Sequence, residues 1–383
     1  MVKEEGAEGK AVFLTPPLAL EGGLAVDHKV PSSLERVINL LKNVRPGSDL
    51  TRLQLPPIFN LPKSQLQLYG ECVYCIGEDM LSRCANGKNA LERFTSVVAW
   101  NISTTRPAIF GFAPFNPVLG ETHHVSRGSL NVLLEQVSHH PPVTALHATD
   151  ENANVELIWS QNPVPKFYGT SVDVVVHGKK QLNLLNFGEN YEMNTPRLLI
   201  RFFPVPGVDW VGNVRIRCKE SGLEADLCYK GHSFLGFRSS SRSVKGRIFD
   251  SSSSVTIYDI DGHWDRIITM KDVQSGKLTV LYDAKGAISI LKTPKLQDQK
   301  GLLSSESTLV WSEVSQAVVK KEWEKAREAK RAIEENERKL DRERKAEGDS
   351  WVPKHFKVAH TEDGWECNPK QKSVPSAPII VEI

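Results

Sequence analysis

The sequence lacks any apolar run approaching the roughly 20 residues that a bilayer-spanning helix needs. Its first residues, MVKEEGAEGK, are mixed in charge and contain no apolar core of the kind found in secretory signals. The composition, with 40% hydrophobic and 25% charged residues over 383 positions, is that of an ordinary globular protein. We therefore expect a cytoplasmic protein that is not integrated in a membrane.

Strong net charge and a disulfide framework are also missing. A formal charge of +2 is too small to indicate nucleic acid as the main partner, so any anion site must be local. Six cysteines in a chain without secretory context indicate reduced thiols. Cys72 and Cys75 form a close pair, but no second pair or neighbouring histidine completes a zinc site. We interpret both as buried structural residues.

The known catalytic signatures are absent as well. The sequence contains no G-x-x-x-x-G-K-[ST], no H-E-x-x-H and no G-x-S-x-G motif. A metal site is conceivable because two histidine pairs, His123–His124 and His139–His140, lie near Glu121 and Glu135. Adjacent residues of a strand point to opposite faces, however, so neither pair is well placed to chelate one ion. The sequence predicts neither an enzyme nor a bound metal or cofactor.

The central part of the chain predicts β structure. Short runs rich in β-branched and aromatic residues follow one another, such as NVELIWSQ, SVDVVVHG and RLLIRFFPV. The dipeptides Ser221–Gly222 and Asp261–Gly262 are typical of hairpin turns. Successive hairpins without helices between them favour an antiparallel meander or barrel over a doubly wound α/β fold. The β region spans about residues 106–292, and a helical segment is predicted before it at about residues 76–105.

The two ends of the chain differ from this pattern. Residues 1–30 carry no sustained period and predict an irregular extension. Near the C-terminus, WSEVSQAVVKKEWEKAREAKRAIEENERKLDRERKAEG predicts one long charged helix that ends at Gly348. A tail follows it, and together they occupy a helical region and tail of about residues 305–383.

A short amphipathic helix is predicted before the β region. Ser32 and Glu35 have the spacing of a capping box. An ordinary helix that faces the core explains this pattern better, on the residues alone, than a lid does. The apolar positions that share one face are Leu34, Val37, Ile38, Leu41 and Val44.

The stretch LLEQVSHHPP, residues 133–142, places two histidines before a double proline. Pro141 disfavours helix at His140 and predicts a rigid, extended position at a strand end. Imidazole N–H groups at such a rim can hold a phosphate, with an affinity that rises as pH falls through the histidine pKa. Turn histidines whose hydrogen bonds are satisfied within the protein explain the same residues equally well.

Five motifs together resemble one family. EQVSHHPP, within this stretch, resembles the fingerprint of the oxysterol-binding protein family. Four further segments of this chain resemble other elements of the family. They are SDLTRLQLPPIF (48–59), FNPVLGET (115–122), VKGRIFD (244–250) and KRAIEENER (330–338). The resemblance covers about residues 31–383. It indicates a short member that consists of the ligand-binding domain only, and a plant source is expected.

The resemblance implies a mainly β (α+β) fold. Members have a large, near-closed antiparallel β-barrel around a lipid tunnel, with C-terminal charged helices and an N-terminal lid, here about residues 31–48. Their function is non-enzymatic transfer of sterols between membranes, often with phosphatidylinositol 4-phosphate as exchange ligand. We expect a monomer associated peripherally with membranes such as the endoplasmic reticulum or Golgi. A sensor or membrane-contact adaptor that binds the same lipids without net transfer is the alternative.

The resemblance also implies a headgroup site. Many members carry a lysine three residues before the asparagine of the NP element, whereas this chain has Ala113. The loss removes one cation, so sterol binding with weaker phosphoinositide binding is one outcome that the sequence allows. The residues that match the family's headgroup contacts are Asn116, His139, His140, Lys330, Glu334 and Arg338.

Overall fold

A computed structural model describes residues 12–20, 33–75, 80–231, 242–288, 292–362 and 364–383. Ser32 of the predicted capping box and most of the predicted extension lie outside these residues. The described part of the extension, residues 12–20, contains no helix or strand, and Leu18 in it is buried.

Sixteen of the strands form one large sheet. The strands of the whole fold are β1 (Asn60–Ser64), β2 (Ala113–Phe115), β3 (Thr122–Arg127), β4 (Leu130–His139), β5 (Pro142–Asp150), β6 (Val155–Phe167), β7 (Ser171–His177), β8 (Lys180–Leu184), β9 (Glu189–Met193), β10 (Arg197–Arg201), β11 (Gly207–Cys218), β12 (Leu223–Lys230), β13 (Ser243–Asp250), β14 (Thr256–His263), β15 (Ile267–Asp272), β16 (Leu278–Asp283), β17 (Lys295–Leu296), β18 (Phe356–Thr361), β19 (Gly364–Pro369) and β20 (Ile379–Ile380).

The large sheet is a meander of antiparallel neighbours. Its path is β16-β15-β14-β13-β12-β11-β10-β7-β6-β5-β4-β3-β20-β17, with β8 and β9 bridging β6 and β11. Only β20 joins its neighbour β3 in parallel among the described pairs of this sheet. The predicted mainly β fold is confirmed. Among the described strands no pair joins β16 to β17, so the sheet is not closed by hydrogen bonds between these two ends.

Helices fill the inner side of the sheet and flank it. They are α1 (Ser33–Leu41), α2 (Gln65–Tyr74), α3 (Met80–Ala85), α4 (Ala90–Ser103), α5 (Ala284–Ile288), α6 (Ser307–Val310), α7 (Ser312–Val319) and α8 (Trp323–Glu347). The helix α2 packs on β3 and β4, and α4 packs on β12 and β16. Because these strands lie near opposite ends of the sheet path, the sheet curves around the two helices.

Alternating burial holds this core together. Along β11, Val214, Ile216 and Cys218 are buried, whereas Arg215 and Arg217 between them are exposed. Successive strand residues point to opposite faces, so one face enters the core and the other meets water. Each fully buried aliphatic side chain contributes roughly 1.5–3 kcal/mol.

The two predicted hairpin turns have different outcomes. Ser221–Gly222 lies between β11 and β12, and Gly222 has a φ of +67°, so this turn is confirmed. Asp261–Gly262 lies inside β14, and that prediction was wrong. Glycine is needed at 262 for another reason, because a Cβ there would come within 2.3 Å of the carbonyl oxygen of Ile267.

The predicted long C-terminal helix was wrong in one respect. The chain breaks between α7 and α8, where Lys321 adopts a φ of +60°. The break lets Ala326 of α8 join Val314 and Val318 of α7 in a small core around Phe115. Gly348, with a φ of +72°, ends α8 as predicted.

Candidate functional site

A cavity of ≈ 410 Å³ lies between the inner helices and the sheet. This volume is within the roughly 300–1,000 Å³ range of sites that take drug-sized ligands. One wall is a single face of α2, because residues three, four and seven positions apart align on a helix. The residues of this face that line the cavity are Gln65, Leu68, Tyr69 and Cys72. The opposite wall comes from β7 and β10, through Val172, Val174, Leu198 and Ile200.

The helix α1 covers the cavity. Val37 and Leu41 are buried against Phe167, Val172 and Phe202, and Leu34 and Val44 pack at the edge of the same cluster. Ile38, which the sequence placed on this face, is 49% exposed. Leu40 lines the cavity instead. Only a narrow stripe of α1 contacts the cavity. Ile38 lies beside that stripe, and its side chain points to solvent.

The turn between β4 and β5 carries the histidine pair. The His140–Pro141 peptide bond is cis. His139 is half-buried, and its Nδ1–H donates to the carbonyl oxygen of Pro117 at 2.9 Å. The ring of His140 is exposed and lies 4.5 Å from that of His139. Removal from water lowers the pKa of both imidazoles, and at His139 the neighbouring His140 lowers it further.

The acid and the amide of the same motif have structural roles. Glu135 accepts hydrogen bonds from the backbone N–H groups of Lys354 and His355, at 2.7 and 2.8 Å. Gln136 accepts from Thr144 Oγ1 at 2.6 Å and donates to the carbonyl oxygen of Ser138. Glu135 therefore attaches the C-terminal tail, and Gln136 fixes the turn that presents the histidines.

The loop of the NP element lies beside this turn at the edge of the cavity, here called the rim, where Asn116 and Pro142 are both lining residues. Asn116 is exposed at the cavity, and the next residue, Pro117, receives the hydrogen bond from His139. Glu121 holds this loop in place from inside the protein, and burial raises its pKa. Its carboxylate accepts from Ser64 Oγ, Ser307 Oγ, Trp311 Nε1 and Val118 N.

The three predicted α8 residues form a ladder. Glu334 lies 3.7 Å from Lys330 Nζ and 3.2 Å from Arg338 Nη2. Lys330 is buried, which lowers its pKa, although Glu334 opposes that shift. Its Nζ donates to the carbonyl oxygen of Leu55 and, at 3.1 Å, to Asn60 Oδ1. Lys330 is thus tied to the segment before β1 as well as to Glu334.

Asn60 connects this ladder to the position where the cation is missing. Its Nδ2 donates to the carbonyl oxygens of Ala113 and Pro114, at 3.3 and 3.2 Å. The sequence reasoning did not single out Asn60. Its partners are 53 to 270 positions away, so no local signal could have found it.

The two histidines of the other pair have separate partners. The His123 ring bridges Tyr74 OH, at 2.9 Å, and Glu306 Oε1, at 2.6 Å, in a fully buried network. His124 Nε2 instead donates to the carbonyl oxygen of Pro375. Within the described ranges no three His, Cys, Asp or Glu side chains converge as metal ligands would. Cys72 and Cys75 are free and buried.

Comparison with known proteins shows the family to which the chain is similar. Residues 36–374 match the family model described as oxysterol-binding protein. The chain is 50% identical over 97% of its length to oxysterol-binding protein-related protein 4B of Arabidopsis thaliana, and the match covers 98% of that protein. This similarity fits the expected plant source.

Two solved structures share the fold. The Osh1 ORD domain, in complex with cholesterol, has a TM-score of 0.74 at 20% identity over 96% of this chain and 92% of that chain. The Osh3 ORD of Saccharomyces cerevisiae, in complex with PI(4)P, has a TM-score of 0.69 at 21% identity over 95% and 96%. Of the helices in the described parts of the chain, none has the length and apolar character to span a membrane.

Proposed function

The chain belongs to the oxysterol-binding protein family, and we propose that it carries sterols between membranes with phosphatidylinositol 4-phosphate as exchange ligand. Members of the family bind and transfer lipids and are not enzymes. We propose that this chain acts as a cytoplasmic monomer at the surface of membranes such as the endoplasmic reticulum or Golgi.

The observation that carries this proposal is the covered apolar cavity. A sterol in water would expose several hundred square ångströms of apolar surface, at a cost on the order of 10 kcal/mol. A cavity of ≈ 410 Å³ lined mainly by aliphatic and aromatic side chains offsets most of this cost. Val37 and Leu41 of α1 exclude water from it, which supports a lid. Such a lid can open where a membrane offers its apolar face another partner.

The rim of the cavity supports a phosphorylated headgroup as the second ligand. Asn116 lines the cavity, and His139 bonds to the next residue, Pro117. Lys330 bonds to the lining residue Leu55 and shares Glu334 with Arg338. Phosphate oxygens are acceptors, and these side chains supply N–H donors. Osh1 and Osh3, which share the fold, are seen with cholesterol and PI(4)P respectively. One cavity that takes either lipid in turn would exchange them.

Exposed apolar side chains near α1 support peripheral membrane contact. The β6–β7 and β10–β11 turns are joined by a 2.8 Å hydrogen bond from Phe202 N to the carbonyl oxygen of Thr170. Tyr168 and Phe203 at these turns are 54% and 68% exposed. Ile38 lies on the outer side of α1, which packs against Phe202 through its other side. Aromatic and aliphatic side chains of this kind enter the interfacial region of bilayers.

Transfer between two liposome populations tests the proposal. Purified protein should move a fluorescent sterol from donor to acceptor liposomes, and phosphatidylinositol 4-phosphate in the acceptor should accelerate this movement. Native mass spectrometry should find a sterol or phosphoinositide bound. Uptake of sterol without net transfer would identify the sensor or adaptor instead, and a protein that takes up neither lipid would refute both.

A further inference from the structure

The cations around the histidine pair are mostly neutralised by acids of the same helix. Lys330 and Arg338 share Glu334, which leaves one positive charge for the three residues. Lys345, one helical turn after Asp341, pairs with it at 2.6 Å and adds no net charge. A phosphomonoester carries about −1.5 to −2 charges at pH 7. These five α8 residues alone therefore do not balance it.

Position 113 does not correct this deficit. Ala113 lines the cavity, and its carbonyl oxygen accepts a hydrogen bond from Asn60 Nδ2. Its methyl group offers no donor. The histidines add little positive charge at neutral pH, because burial lowers the pKa of both. A site that holds a phosphate at this rim needs a further cation.

A strap of residues 49–56 crosses the rim and is fixed at both ends. Near its start, Leu50 N donates to the carbonyl oxygen of Pro165 on β6 at 2.9 Å. Near its end, the carbonyl oxygen of Leu55 accepts a hydrogen bond from Lys330 Nζ of α8. Leu50, Leu53 and Leu55 line the cavity. The strap therefore spans the gap between β6 of the sheet and Lys330 of α8.

Arg52 is the cation of this strap. Its side chain is exposed, and within the described ranges it forms no ion pair. It lies within electrostatic reach of His140, as do Asp341 and Lys345. Arg52 follows Leu50 by two positions and precedes Leu55 by three, so the two anchors confine it to the rim.

We propose that Arg52 binds a phosphate of the lipid headgroup together with His139 and His140, and so supplies the cation that is missing at Ala113. This inference rests on the proposed phosphoinositide exchange. Arginine suits the position because its guanidinium offers a planar pair of donors to phosphate oxygens and stays charged at any physiological pH. Arg52 adds one cation to those of α8, whereas Asp49 of the same strap accepts a hydrogen bond from Thr51 N, 2.7 Å away.

Binding of soluble dioctanoyl phosphatidylinositol 4-phosphate and of a fluorescent sterol, measured separately, tests this inference. Arg52→Ala should weaken phosphoinositide binding about tenfold or more, the range for losing a hydrogen bond to a charged group, and leave sterol binding unchanged. Arg52→Lys should lose less. Arg45→Ala is the matched control, because Arg45 is an exposed cation of the preceding turn. It should have no effect.

Two further arms identify the contact. Free inositol 1,4-bisphosphate should lose affinity for the Arg52→Ala variant by a similar factor, because the proposed contact is with phosphate rather than acyl chains. Adding Ala113→Lys to the Arg52→Ala variant should restore phosphoinositide affinity if the two positions serve one purpose.

The contrary results are separable. Equal loss of sterol and phosphoinositide binding, or loss for the lipid but not for the free headgroup, would make Arg52 a structural part of the strap and overturn the inference. Unchanged phosphoinositide binding by Arg52→Ala, in a protein whose His139→Ala variant is impaired, would overturn it and leave the proposed function intact. If the unmodified protein did not bind the phosphoinositide, both the role of Arg52 and the proposed exchange function would be refuted.

Discussion

Replacing Lys180 by methionine should stabilise the protein at neutral pH. Lys180 begins β8 and is 2% exposed. Its ammonium donates to Asn101 Oδ1 at 2.8 Å and Thr104 Oγ1 at 3.0 Å, and it lies 4.1 Å from the ring centroid of Trp159. None of the described carboxylates forms an ion pair with it. Burial lowers its pKa from 10.5 to about 7.

This pKa fixes the sign and the size of the effect. The unfolded chain holds the Lys180 proton up to about pH 10.5, whereas the folded chain releases it above about pH 7, so stability rises with pH between these values. The difference corresponds to at most about 5 kcal/mol, present in full below pH 7. Methionine removes this penalty but leaves Asn101 Oδ1 without its donor, at a cost of about 1–3 kcal/mol. We expect a net gain of roughly 2–4 kcal/mol at pH 7.

Urea unfolding of both proteins from pH 6 to 10 measures the effect. The advantage of Lys180→Met should be largest at pH 6–7 and should disappear towards pH 10. Lys179→Met is the matched control, because Lys179 is 48% exposed and pairs with Glu192 at the surface. A Lys180→Met variant that is less stable by the same amount at every pH would refute the reasoning, since its lysine would then be charged and well solvated by its partners.

Other predictions concern the cavity and its rim. Val37→Asp should abolish retention of a fluorescent sterol, whereas Ile38→Asp should keep retention and weaken liposome flotation, because only Val37 faces the cavity cluster. Substituting His139 and His140 by alanine should reduce phosphoinositide binding more than sterol binding, and equal losses in the two titrations would indicate a structural turn. Since removal from water lowers the pKa of both histidines, phosphoinositide affinity should stay flat around neutral pH and rise only at more acidic pH, and an affinity independent of pH would exclude them from the site. Glu121→Ala should cost about 3 kcal/mol in urea unfolding, because it leaves several buried donors unpaired, and a neutral change would contradict its role.

Local periodicity predicted the fold because it reports directly on which face of a strand is buried. It failed where a distant contact decides the conformation. Asp261–Gly262 has the composition of a turn, but the close approach of the Ile267 carbonyl keeps it inside β14. Lys321 sits in a continuous helical pattern, but packing of α8 against α7 requires a break there.

The candidate site was predictable only as a set of motifs. The histidine pair and the α8 residues are recognisable along the chain, and in the structure Asp341 and Lys345 of α8 lie within electrostatic reach of His140. The strap is different, because Arg52 has no special local pattern and gains its position from the bond between Leu55 and Lys330, 275 residues apart. The exposure of Ile38 was not predictable either, because it depends on how narrow the contact between α1 and the cavity wall is.

Three buried acids, Glu121, Glu135 and Glu306, have partners that belong to the fold itself. Glu121 accepts hydrogen bonds from hydroxyl, indole and backbone donors, and Glu135 from two backbone N–H groups. Glu306 accepts hydrogen bonds from the His123 ring and from the backbone N–H of His124. None of these three acids pairs with Arg52 or with the α8 cations, whose own partners are Glu334 and Asp341. Under the proposed function, a lipid phosphate would therefore bind or leave without depriving a buried carboxylate of its hydrogen bonds.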